Sequence, residues 1–140
     1  MRTRKLLRKL LRNLLLLLVC YGAIVVLFES GLGLFQPQAE NTVVISTFDS
    51  DGTEHQRVVS LLQSGGMLYV AVNHWPRAWY RRILDNPRMR MRREGVSNDY
   101  RGSVVVDPEY LRVKRDNPVP LAFRFLTGFP SRYFVRLDPQ

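Results

Sequence analysis

Cysteine is almost missing from this sequence. Cys20 is the only one, so no disulfide can form within the chain and no cysteine-based metal site exists. Histidine is nearly as scarce: His55 and His74 lie far apart, outside any metal-ligating or His-Glu-x-x-His spacing. No Gly-rich phosphate loop and no Gly-x-Ser-x-Gly elbow occurs, which removes the signals for P-loop nucleotide chemistry and for an α/β-hydrolase nucleophile. Internal repeats are absent, and the only low-complexity stretch is rich in leucine.

Acidic residues are also lacking at the start, the first being Glu29. Before it, Arg2, Arg4, Lys5, Arg8, Lys9 and Arg12 lead into an uninterrupted apolar run over residues 14–28, of the composition that hydrocarbon accepts. Fifteen residues at about 1.5 Å each fall short of a hydrocarbon layer about 30 Å thick. The run therefore borrows from its flanks, with Leu10 and Leu11 on one side and residues 31–35 on the other, while Arg12 snorkels. A retained single-pass anchor is the favoured reading, since no small-x-small alanine cleavage site follows the run. A cleaved secretory signal and an interfacial helix that never spans are the alternatives. The lipid bilayer is thus the first expected partner. Six cations before the span and none after it until Arg57 place the N-terminus in the cytoplasm and the domain on the far side. An interfacial leader would instead leave the domain peripheral on the cytoplasmic face.

The formal net charge of +9 suggests nucleic acid until it is divided. The leader holds six of the 21 basic residues and none of the 12 acids, so the remainder carries 15 against 12. No nucleic-acid partner is expected. One dense cluster, running from Arg77 through Arg81, Arg82, Arg88 and Arg90 to Arg93, reads either as a solvated face or as a surface for phosphates.

After the run, residues 36–41 form a polar, proline-interrupted linker. Residues 42–48 read as a strand, Asp51-Gly52 as a hairpin turn and residues 56–62 as a second strand. Ser64-Gly65-Gly66 turns the chain into residues 67–72, an almost continuous apolar run suited to a strand buried on both faces. Trp79, Ile83 and Leu84 share one face of a short helix over residues 76–86, which Pro87 stops. Met89 and Met91 then alternate with arginines at the strand period. Residues 100–106 make a fifth strand. Asp107 as N-cap with Pro108 opens a helix to Arg115, residues 121–126 form a helical turn, and residues 132–137 alternate as a last strand. The expected organisation is a basic leader over 1–13, a transmembrane helix and its flank over 14–35, a linker over 36–41 and a domain over 42–140. About six strands joined by short helices predict a mainly β protein, a small β-barrel rather than a parallel sheet.

The run Trp79-Tyr80, Leu84, Asn86-Pro87 between two strands resembles the split β-barrel flavin and deazaflavin oxidoreductases, in particular the F420-dependent nitroreductase and quinone reductase group. The likeness covers about residues 42–139, with the Leu126-Thr127-Gly128 to Arg136-Leu137 run as further support. It implies a split β-barrel, a cofactor that is F420 or FMN, hydride transfer to a quinone-like or nitroaromatic acceptor, and possible pairing into a homodimer. A membrane anchor suits a lipid-soluble quinone.

By the same likeness, the end of the third strand and the connection after it contact the cofactor, here Asn73, His74, Trp75 and Arg77, with Arg57 matching an arginine of the second strand. Physically, amides near a helix start and a guanidinium make an anion site, and Trp75 or Trp79 can cover a planar ring. Trp79 has ordinary core packing as its other reading. Tyr80, Tyr100 and Tyr133 are conceivable donors to an acceptor. The chain departs from the family between Ser46 and Glu54, where Asp49, Asp51 and Glu54 stand in place of a basic segment. Acids there oppose a phosphate. A second reading follows, a non-enzymatic membrane-tethered split-barrel module that has lost its cofactor.

Overall fold

The computed structural model describes residues 2–35, 41–73 and 78–140. Residues 36–40 of the expected linker and the predicted site residues His74, Trp75 and Arg77 lie outside these described residues. The first element is a 34-residue helix, α1 (Arg2–Phe35). Six strands follow: β1 (Thr42–Phe48), β2 (Glu54–Ser64), β3 (Met67–Val72), β4 (Arg88–Arg93), β5 (Val96–Val104) and β6 (Tyr133–Pro139). Helix α2 (Ala78–Asp85) joins β3 to β4, while α3 (Glu109–Asp116) and α4 (Leu121–Leu126) lie between β5 and β6. All strand pairs are antiparallel, and the order β1-β2-β3-β6-β5-β4 closes on itself through β1 and β4. The fold is the closed six-stranded barrel with short helices that the patterning predicts, and closure gives every strand a neighbour on both sides.

The interior is built from inward-facing residues of all six strands. Ile45, Val59, Val70, Met89, Tyr100 and Val135 are among them. Met89 and Met91 point in while their arginine neighbours point out, as the two-residue period requires. Helix α2 caps one end by inserting Trp79 and Ile83 into this cluster. Gly102 makes that insertion possible. A Cβ there would lie 2.6 Å from Met89 Sδ and 3.0 Å from Ile83 Cγ2.

Strand β3 is buried on both faces. Val70 and Val72 face the interior, and Tyr69 and Ala71 face outward under α3 with Val113 and Phe134. The Tyr69 hydroxyl donates to Glu109 Oε1 at 2.7 Å, so a buried phenol meets a carboxylate and α3 is tied to the wall. Arg136 donates to the same carboxylate at 3.0 Å and to Asp138 at 2.7 Å.

Several boundaries differ from the sequence reading. β2 is longer at both ends, because it pairs with β1 from Phe48↔Glu54 onward and with β3 as far as Ser64↔Met67. β5 begins at Val96, where pairing with Arg93 extends a strand whose own residues there are polar. Asp107 does not cap α3. Pro108 occupies the cap position, and a proline side chain has no acceptor to offer.

Candidate functional site

Antiparallel pairing of β2 with β3 puts the first residues of β2 and the last of β3 at one end of the barrel. Two openings lie in this region, and among the described residues they share no lining.

The smaller, of about 180 Å³, brings together two of the predicted residues, Arg57 and Trp79, with His55 and Arg82. Arg57 pairs with Ile45 in register and so shares its inward face. Trp79 is only 7% exposed and belongs to the core, so packing uses most of its surface. The neighbouring acids are already engaged. Asp49 accepts from His55 Nε2 at 2.6 Å and from Arg82 Nε at 2.8 Å, and these hydrogen bonds hold its pKa below the usual carboxylate value. Glu54 accepts from Ser46 Oγ at 2.6 Å and from Gln56, and is lowered likewise. The acidic segment thus ties the β1–β2 hairpin to α2. Of the three tyrosines, Tyr80 and Tyr133 stack on each other with ring centroids 5.4 Å apart, and Tyr100 is in the core.

The larger opening is a cleft of about 470 Å³ between the end of β3, α3, α4 and the approach to β6. Asn73 lines it, and so do Lys114, Arg124 and Arg132, which sequence patterning did not single out. These cations come from segments that look like solvated helix faces and a strand start, and only folding brings them together. Arg132 donates from Nε to Asn73 Oδ1 at 2.7 Å and from a terminal nitrogen to the Asn117 carbonyl. Its guanidinium also lies over the Phe134 ring at 4.9 Å. Burial, and secondarily the charge of Arg124, pushes its pKa down. Among the described residues no carboxylate lies within ion-pair distance of Arg132, Lys114 or Arg124, and no acid lines the cleft. Three cations, one buried among neutral partners, create a positive potential in a partly desolvated space. Phe123, Phe129, Pro118 and Val119 add apolar walls.

Among the described residues no cluster of His, Cys, Asp and Glu is placed to hold a metal ion. Among the same residues one helix, over Arg4–Leu32, is long and apolar enough to cross a membrane.

No protein-family model matches the sequence, and neither does any curated protein. Solved structures do match. The haem storage protein HutZ of Vibrio cholerae is 19% identical, with a TM-score of 0.52 over 74% of this chain and 84% of its own. A haem-binding protein of Mycobacterium smegmatis is 13% identical, with a TM-score of 0.54 over 71% of this chain and 46% of its own. An FAD-binding protein of Mesorhizobium loti is 16% identical, with a TM-score of 0.51 over 72% and 80%. Together with the closed barrel, these likenesses define the fold as a split β-barrel.

Proposed function

We propose that this chain is a membrane-anchored oxidoreductase of the split-barrel type. It binds a flavin-type cofactor, F420 or FMN, and serves hydride transfer to a quinone-like or nitroaromatic acceptor. The observation that carries the reading is the cleft at Asn73, which no acid lines among the described residues. Its volume of about 470 Å³ lies within the range of about 300–1,000 Å³ common for small-molecule sites, whereas the opening at Arg57 and Trp79 falls below it. The donor set suits such a cofactor. Arg132, Lys114 and Arg124 would hold an anionic tail, and Phe123 and Phe129 would flank an apolar ring. The cofactor would supply the hydride chemistry, while the chain binds, orients and excludes water. Helix α1 holds the domain at the bilayer, with its basic N-terminus in the cytoplasm, and so near a lipid-soluble quinone. Pairing of two copies belongs to the same reading.

A second reading has its own support. Trp79 is committed to the core, and Asp49 stands beside Arg82 where the oxidoreductases it resembles are basic, as expected of a tethered module without a cofactor. Titration of the full chain in nanodiscs with oxidised F420, FMN and haem separates the two. Saturable binding of F420 or FMN supports the oxidoreductase. Absence of binding by a folded chain leaves the module, and binding of haem alone replaces hydride transfer with haem handling.

A further inference from the structure

Residues 4–20 of α1 are exposed on every side. From Tyr21 onward a single stripe, Tyr21, Val25, Phe28, Glu29 and Leu32, is shielded from solvent. What covers it includes α4 and the turn after it. Tyr21 and Phe125 rings lie 4.7 Å apart, and Phe28 and Phe123 rings 6.0 Å apart. A Cβ on Gly128 would come within 3.0 Å of Val25 Cγ1, so glycine lets the turn approach the helix as closely as small residues do between membrane helices. Beside this contact α4 is apolar and largely bare. Leu121 is 71% exposed, Phe125 50% and Phe129 47%, and together with Ala122 and Leu126 they form one apolar patch.

The position of this patch along α1 decides its environment. If hydrocarbon begins after Arg12, about 20 residues are needed to cross it, which reaches to about residue 33. The stretch from Tyr21 to Phe28 lies inside that length, and α4 lies against it. A bilayer that accepts α1 must therefore accept the exposed face of α4 as well.

The backbone of α4 is prepared for such a medium, where unmet polar groups are costly. The Phe123 carbonyl accepts from the Thr127 amide and hydroxyl, and the Arg124 carbonyl from the Phe129 amide and the Thr127 hydroxyl. The Phe125 carbonyl accepts from the Gly128 amide and, at 2.8 Å, from the Tyr21 hydroxyl of α1. At the other end Pro118 and Pro120 have no amide hydrogen to satisfy. The one charge, Arg124, lies over the Phe129 ring at 5.5 Å and has a stem long enough to snorkel.

We infer that α4 and the Gly128-Phe129 turn insert into the leaflet on the domain's side, with Leu121, Phe125 and Phe129 against lipid acyl chains. The inference rests on the reading of α1 as a membrane helix. It adds that the barrel does not hang from a tether but is seated on the bilayer. Phe123, Arg124 and Phe129 also line the cleft, so the cleft would open at the membrane surface.

The test uses the full chain with Cys20→Ala and one added cysteine, Leu121→Cys, Phe129→Cys, Leu16→Cys or Val96→Cys, labelled with a fluorophore. The protein is reconstituted in phosphatidylcholine–phosphatidylglycerol vesicles. Quenching by acyl-chain nitroxide lipid and by aqueous iodide is then compared. The expected result is that labels at 121 and 129 follow the α1 label at 16, quenched by lipid and shielded from iodide. Val96, exposed on the barrel, should show the reverse. Labels at 121 and 129 that behave like 96 while 16 is lipid-quenched would overturn the insertion of α4 and leave the anchor standing. A label at 16 that also escapes lipid would overturn the anchor and the insertion together.

Discussion

Arg132 donates from Nε to the side-chain oxygen of Asn73 at 2.7 Å, joining residues 59 apart in sequence across the floor of the cleft. Because that guanidinium has only neutral partners among the described residues, its charge is available to an anionic ligand. Arg132→Gln is expected to weaken binding of FMN or F420 by ten-fold or more, the scale of losing a hydrogen bond to a charged group, about 1.5–3 kcal/mol. Asn73→Ala should weaken it less, by releasing the guanidinium from its position. Arg57→Ala, in the separate opening, should have the smallest effect. Titration of each variant in nanodiscs ranks them, and unchanged affinity in Arg132→Gln would remove the cleft from cofactor binding.

Gly102→Ala tests the plugging of the barrel. The added methyl group would meet Met89 Sδ, Ile83 Cγ2 and Val135 Cγ1 at 2.6, 3.0 and 3.1 Å, and Met89 is fully buried. Overpacking of this kind costs about 1–3 kcal/mol. A lower denaturant midpoint with an unchanged m-value is the expected readout, and a wild-type midpoint would mean that α2 can lift without cost.

Glu109 gives stability a defined pH dependence. Its carboxylate accepts first from the Tyr69 hydroxyl and then from Arg136, and both lower its pKa from the ordinary 4.5. A lowered native value means that the unfolded chain binds this proton first, so the stabilisation is complete above 4.5 and is lost as pH falls through the native value. Glu109→Gln should therefore be less stable than the parent at pH 7, with the gap narrowing as pH falls below 4.5. Denaturant midpoints of both proteins across that range check it, and a gap independent of pH would assign the loss to geometry instead of charge.

On the proposed reading of α1 as a membrane anchor, the orientation of the chain depends on its leader. Replacing Arg2, Arg4, Lys5, Arg8, Lys9 and Arg12 by glutamine is expected to randomise topology, since these are the only cations before Arg57. A cysteine placed at Val96 in a Cys20→Ala chain reports the side of the domain by its labelling with a membrane-impermeant maleimide. Labelling from outside in the parent chain, reduced in the variant, is the expected outcome.

Most strands were legible in advance because their signal is local. Residues 42–48 and 67–72 match β1 and β3 residue for residue, and the Met89/Met91 alternation identifies the inner face of β4. β5 was displaced because Val96 to Asp99 are exposed and their pairing comes from β4, not from their own pattern. Of the predicted site residues, Asn73 lines the large cleft and Arg57 and Trp79 the small one. Lys114, Arg124 and Arg132 were not legible, because a cation on a helix face reads the same whether it faces water or a cleft.

By itself the sequence determined an apolar helix with a wholly basic leader, a run of hairpin strands and a short amphipathic helix that Pro87 stops, since periodicity, charge and turn chemistry act between near neighbours. Closure of β1 on β4, the seating of α4 on Tyr21 and Val25, and the meeting of Asn73 with Arg132 were decided only by the tertiary structure. Those contacts join residues far apart in the chain, and their energies depend on register, close packing and desolvation, which no local pattern encodes.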